Sequence, residues 1–153
     1  KGFDLAVEAV PEKLEIKTAV FKQLEEHGAP GAILATNTSS LPISSIAAAV
    51  KDPSRVIGMH FMNPVPVMKL VEIIRGKETS DEVTAAVKEL TADLGKIGAV
   101  ANDFPGFVSN RVLMPMLNEA MFAAMLRTLF ASEKHVLRRL DFPFGISIIA
   151  VVS

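Results

Sequence analysis

Cysteine, tryptophan and tyrosine are all absent from this 153-residue chain. Without cysteine there is no disulfide framework, no thiol nucleophile and no cysteine-ligated metal. The aromatic weight rests on 9 phenylalanines. Neither sign of charge is in excess: 16 Lys and Arg face 17 Asp and Glu. That balance leaves no basic footprint for nucleic acid. Histidine is scarce, and His27, His60 and His135 are too scattered to show metal-ligand spacing. No G-x-G-x-x-G fingerprint and no P-loop occurs; Gly28, Gly31, Gly95 and Gly98 are badly placed for either. A long apolar run is missing as well. The uncharged stretch His27–Val50 holds Gly28, Pro30, Gly31, Asn37, Ser39, Ser40 and Pro42, so it does not read as a membrane helix. The chain opens KGFDLAVEAV, with no initiator Met and no secretory or transit pattern. This predicts a fragment or trimmed chain, and a reducing cytosol as its compartment.

What is present is apolar mass. Half of the chain is hydrophobic and 22% is charged. That excludes a disordered chain, which lacks the apolar surface to offset chain entropy. The length suits one domain rather than two complete ones. Phe3–Val10 is a short apolar run of the kind buried on both faces of a parallel sheet. Pro11 changes the period. Leu14, Val20, Phe21 and Leu24 then recur at helical spacing, with Glu12, Lys13, Glu15, Lys17, Lys22 and Glu25 between them, Pro11 in the first turn and Gly28 as cap. Ala32–Ala35, Val56–Phe61, Leu70–Ile74 and Ile97–Val100 read as further strands. Ile43–Val50 reads as a short helix. A helix capped by Thr79 and Glu82 runs to Leu94, closed by Gly95. A long helix spans Gly106 to about Ala131. Alternating strands and helices predict an α/β fold with a largely parallel sheet. The closing run Ile146–Val152 reads as a lone apolar strand in need of a partner.

Four places carry chemistry. Asn37, Thr38, Ser39 and Ser40 follow the second strand, and open α/β sheets bind ligands beyond the carboxyl ends of their strands. An ordinary N-cap cluster explains them equally. His60 ends an apolar strand, where an imidazole can exchange a proton near neutral pH. The plainer reading is a core histidine bonded to backbone. Glu72 interrupts the apolar strand LVEII, and a buried carboxylate is costly without a partner. If the two strands are neighbours, Glu72 can orient the imidazole as the carboxylate of a catalytic triad does. An edge strand with Glu72 in water is the alternative. Asn110, early in the long helix, can donate to a substrate oxygen or be a solvated helix residue. The methionines at 114, 116, 121 and 125 read as core or helix-packing surface rather than a cofactor box.

Asn37-Thr38-Ser39-Ser40, Gly58-Met59-His60-Phe61-Met62-Asn63-Pro64-Val65-Pro66, Lys69-Leu70-Val71-Glu72-Ile73-Ile74 and Pro105-Gly106-Phe107-Val108-Ser109-Asn110-Arg111 occur in that order. Together they resemble the 3-hydroxyacyl-CoA dehydrogenases, with the 3-hydroxybutyryl-CoA enzymes as nearest subgroup, over residues 3–124. The resemblance implies the later part of a Rossmann-like parallel sheet with flanking helices, followed by the start of an all-α domain. Residues 1–103 would be a partial NAD-binding domain and 104–153 a partial helical domain that forms a homodimer when complete. It implies reversible oxidation of an (S)-3-hydroxyacyl-CoA to the 3-ketoacyl-CoA with NAD. His60 would be the base and Glu72 its partner. Ser39 would touch substrate and nicotinamide, and Asn110 would lie near the substrate carbonyl. Glu12, Lys17, Asn37, Ser39 and Asn63 would line the NAD site. The family's Gly-rich loop would precede residue 1, and its helical domain would continue past Ala124; Pro143-Phe144-Gly145 does not match that continuation. The competing reading is an incompetent fragment, or an interaction module lacking the cofactor cradle. A hydroxyacid or nucleotide-sugar dehydrogenase is disfavoured by the spacing of His60 and Glu72.

Overall fold

The computed structural model describes residues 2–136, with side chains as far as Ala131. The predicted closing strand Ile146–Val152 lies outside them. By compactness the chain divides into two units, residues 1–112 and 113–153. The elements are β1 (Leu5–Glu8), α1 (Leu14–His27), β2 (Ile33–Thr36), α2 (Ile43–Ala47), β3 (Val56–Phe61), β4 (Leu70–Arg75), α3 (Asp81–Asp93), β5 (Ile97–Asn102) and α4 (Ser109–Val136).

The strands form one sheet in chain order, β1-β2-β3-β4-β5. Every pairing is parallel except β3–β4, which is antiparallel. The reversal follows from the short connection through Met62–Lys69, which holds no crossover helix. Lys96 braces that loop, its ammonium donating to the carbonyls of Val65 and Met68 at 2.7 and 3.0 Å. Alternation along the strands sends side chains to two cores. Leu34, Val56 and Ile74 pack with Phe21 of α1, Ile43 and Ile46 of α2, and Phe107. Ala35, Ile57, Met59, Val71 and Ile73 pack with Val83 and Val87 of α3. Helices on both faces explain why these strands read as continuous apolar runs. Gly58 is required by the first core. A Cβ there would stand 2.9 Å from both Ile43 Cδ1 and Ile74 Cβ.

Several element ends differ from the sequence expectation. Helix α1 starts at Leu14 rather than around Pro11, because Pro11–Lys13 close a turn in which Lys13 N–H donates to the Pro11 carbonyl at 2.7 Å. Lys17, one of the charges that lie between the apolar positions in the sequence, is buried with Phe21 on the inward face. The cap of α3 is Ser80, whose hydroxyl accepts the Val83 N–H at 3.2 Å. Thr79 instead donates to the buried Val56 carbonyl at 2.6 Å. Helix α4 begins at Ser109, not Gly106, because Gly106 and Phe107 take positive φ of 76° and 50°. Left-handed residues cannot extend a right-handed helix.

No helix among the described residues is long and apolar enough to cross a membrane. Among the same residues, no group of three or more His, Asp or Glu could hold a metal ion.

Candidate active site

The antiparallel pairing decides the site. It sets the carboxyl end of β3 beside the amino end of β4, and His60 lies directly opposite Glu72. Directly opposed residues share a face of the sheet. His60 Nδ1 is 2.7 Å from Glu72 Oε2, and both residues are buried. Glu72 is therefore in the interior, not in water on an edge strand. The Phe107 ring stands against the imidazole, centroids 6.0 Å apart and planes tilted by 59°. Imidazole orientation is thus fixed by a carboxylate on one nitrogen and a ring against one side.

The second oxygen of Glu72 is satisfied by backbone. Oε1 accepts the Val108 and Ser109 N–H groups at 3.0 and 2.7 Å. These are donors at the mouth of α4, where helix N–H groups have no partner within the helix and attract negative charge. The left-handed turn at Gly106 and Phe107 aims them at β4. Burial works to raise the Glu72 pKa. The Ser109 N–H, the His60 ring and the Val108 N–H outweigh it, so the group is held below its ordinary value of 4.5. An ionised Glu72 accepts the proton on Nδ1, which leaves the lone pair on Nε2. No residue among those described hydrogen-bonds Nε2, so that nitrogen is free to take a proton.

The loop after β2 is organised from several sides. Asn37 N–H donates to the Glu8 carbonyl at 2.7 Å, and its side-chain oxygen accepts the Phe61 N–H at 2.9 Å. Asn37 thereby bridges the ends of β1 and β3, next to His60. Thr38 is fully buried and accepts the Leu41 N–H at 3.0 Å. Its hydroxyl donates to Glu12, which also accepts the Ser39 and Ser40 N–H groups at 2.9 and 3.0 Å. Burial opposes ionisation of Glu12. The Thr38 hydroxyl, both N–H groups and the Lys17 charge overcome it and lower the pKa to about 2. The Asn110 amide donates to the Ser39 carbonyl at 3.0 Å. Ser39, Ser40 and Asn63 are exposed. Of the residues singled out by sequence, the structure brings together His60 with Glu72, Ser39 with Asn110 and Glu12, and Lys17 with Glu12.

Two acidic residues escaped the sequence reading. Glu8 is buried at the end of β1, where its carboxylate meets Lys17 and Thr36. The signal was available: Glu8 closes an apolar strand much as Glu72 interrupts one. Asp103 accepts the Ile43 and Ser44 N–H groups at 2.9 and 2.8 Å and the Ser44 hydroxyl at 2.7 Å. Its capping role bridges β5 and α2, which are far apart in sequence, so no local pattern could show it.

An imidazole–carboxylate pair, set where strands of an α/β sheet give way to loops, is chemically able to exchange a proton with a group held there. Residues 1–104 match the family of the 3-hydroxyacyl-CoA dehydrogenase NAD-binding domain, and the chain belongs to that family. A probable 3-hydroxybutyryl-CoA dehydrogenase of Bacillus subtilis is 58% identical over 119 residues, covering 78% of this chain and 42% of that protein. The 3-hydroxybutyryl-CoA dehydrogenase of Bradyrhizobium diazoefficiens is 51% identical, covering 78% of this chain and 41% of its own. The crystal structure of (S)-3-hydroxybutyryl-CoA dehydrogenase from Ralstonia eutropha superposes with a TM-score of 0.77 at 46% identity, over 82% of this chain and 44% of that one. The chain thus spans less than half the length of these relatives.

Proposed function

We propose that the protein containing this chain is an NAD-dependent (S)-3-hydroxyacyl-CoA dehydrogenase, acting on short acyl chains. The observation that carries the reading is the buried His60–Glu72 pair, 2.7 Å apart on opposed strands. In the oxidative direction, His60 Nε2 takes the proton of the substrate 3-hydroxyl. Glu72 holds Nδ1–H and stabilises the imidazolium that forms. NAD, when bound, supplies the acceptor for the hydride leaving C3. In the reductive direction, the same imidazolium returns its proton to the carbonyl oxygen.

The donor set at the strand ends suits such a cofactor and substrate. Ser39 and Asn63 are exposed polar groups there, and Asn110 carries a second amide hydrogen beyond the one given to Ser39. Glu12 and Asn37 hold the loop from which Ser39 projects, and Lys17 stands behind Glu12. On this reading residues 1–103 belong to the cofactor domain and 104–153 open the helical domain. A homodimer through that helical part is supported by exposed Leu113, Met116, Leu117 and Met121 on α4. A cytoplasmic compartment goes with this metabolism.

The test follows NADH absorbance with acetoacetyl-CoA in the full-length protein. General acid–base help contributes about 10²–10⁴-fold. His60→Ala lowers turnover by that order while NADH affinity is little changed. Undiminished turnover in that variant, or loss of NADH binding in place of a loss of rate, would sink the assignment. The rival reading, an interaction module, predicts a full-length protein that neither binds NADH nor reduces acetoacetyl-CoA.

A further inference from the structure

The buried ion pair beneath the β2–α2 loop is unused by the chemistry above. Glu8 and Lys17 have side chains 0% and 1% exposed, and Lys17 Nζ lies 2.8 Å from Glu8 Oε1. Both oxygens of Glu8 are engaged: Oε1 also accepts the Val10 N–H, and Oε2 accepts the Thr36 hydroxyl at 2.8 Å. The Lys17 ammonium donates further to the Val10 carbonyl at 3.1 Å and lies 3.4 Å from Glu12 Oε2. An ammonium has three donors and no acceptor. Two are spent on Glu8 and Val10, and the charge also pairs with the Glu12 carboxylate. Glu12 carries the chain onward. Its Oε1 collects the Thr38 hydroxyl, the Ser39 and Ser40 N–H groups and the Ser40 hydroxyl.

We infer that Glu8 is a positioning residue, which acts through Lys17 and Glu12 to fix the loop Thr38–Ser40 that presents Ser39. Burying two charges is costly, and an apolar pair of the same volume serves stability as well or better. What an apolar pair cannot do is hold Glu12. Lys17 pins Glu12 Oε2 from inside, which leaves Oε1 aimed at the loop. Glu8 sets where the ammonium stands. It also sits beside Thr36 in the parallel register, so the pair is referenced to the end of β2 itself. The link to a cofactor rests on the function proposed above; the ordering of the loop does not.

The test uses the full-length protein with Glu8→Gln, Lys17→Met and the double variant. Glu8→Gln alone leaves a buried ammonium short of its counter-charge and is the variant at risk of not folding. The double variant removes both charges and keeps the experiment decisive. Amide hydrogen exchange is read at Ser39 and Ser40, with β3 and β4 as internal reference. NADH affinity is read by fluorescence titration. In the double variant, Ser39 and Ser40 should exchange about tenfold faster or more, with β3 and β4 unchanged. NADH affinity should weaken about tenfold, and the double variant should be no worse than Lys17→Met alone, since coupled residues are not additive. Unchanged exchange at Ser39 and Ser40 overturns the inference. Equal acceleration across β3 and β4 also overturns it, because the pair would then be only a structural support. Faster loop exchange with unaltered NADH affinity overturns the link to the cofactor. A parent protein that binds no NADH overturns the proposed function, while the exchange data still decide the positioning role.

Discussion

The Ser109 N–H donates to Glu72 Oε1 at 2.7 Å, which ties the first residue of α4 to the carboxylate that orients His60. One buried group therefore joins two tasks. Its Oε2 holds the imidazole, and its Oε1 terminates a helix that would otherwise present bare donors. Removal and neutralisation of this carboxylate are consequently different experiments.

Glu72→Gln keeps the volume and one acceptor oxygen but loses the charge. Turnover should fall by about 10²-fold, less than for His60→Ala, since the imidazolium formed in the reaction loses its counter-charge. The acid limb of the pH–rate profile should move, and a profile superimposable on the parent's would rule out the role. Glu72→Ala should also destabilise the fold. It orphans the Val108 and Ser109 N–H groups and the His60 ring, at about 1–3 kcal/mol for each buried group left unpaired. Urea unfolding of the two variants separates the effects, with Glu72→Ala expected to be the less stable.

Phe107 combines a buried ring against His60 with a backbone φ of 50°. Phe107→Ala should cost about 3–5 kcal/mol for the lost ring. Phe107→Gly loses the same ring and relieves the left-handed strain, worth about 1 kcal/mol. The glycine variant should therefore be at least as stable as the alanine variant, the reverse of the usual order. A glycine variant clearly less stable in thermal melts would mean that the turn carries no such strain.

How much of this was readable from the letters depended on whether a side chain or the backbone did the work. His60 and Glu72 stood out because each is a polar interruption of an apolar strand, and each lacked a partner that the other could supply. The antiparallel β3–β4 pairing that brings them together was not written in either strand. Val108 and Ser109 act through backbone N–H groups, which leave no mark on residue identity. Lys17 stood only as one of the charges between the apolar positions of a helix, and the buried Glu8 explains its inward position. The cap of α3 fell one residue from the expected Thr79 because a threonine hydroxyl there has a better acceptor in the Val56 carbonyl.

Asp103 holds the α2 entrance with both oxygens, accepting from Ile43 N–H, Ser44 N–H and the Ser44 hydroxyl. Asp103→Ala should cost about 1–2 kcal/mol, the range for losing a helix-capping acceptor. Asp103→Asn retains one acceptor oxygen and should fall between parent and alanine. Chemical denaturation gives the ranking; an asparagine variant as unstable as the alanine one would show that both oxygens are required together.

Glu12 makes the acid stability of the fold predictable in sign. Its pKa is about 2 in the folded chain against an ordinary 4.5. A depressed folded value means that the unfolded chain binds the proton more readily. The contribution is then present in full above about 4.5 and is lost as pH falls towards about 2. The Glu12 side chain is 37% exposed, so the size of the effect is screened. Its direction is not: the parent should be more stable than Glu12→Gln at neutral pH, and the gap should close on acidification. Thermal melts of both proteins across that range measure the gap directly. If it stays constant with pH, Glu12 does not gain its charge stabilisation from Thr38, Ser39, Ser40 and Lys17, and the anchor of the Ser39 loop must be sought elsewhere.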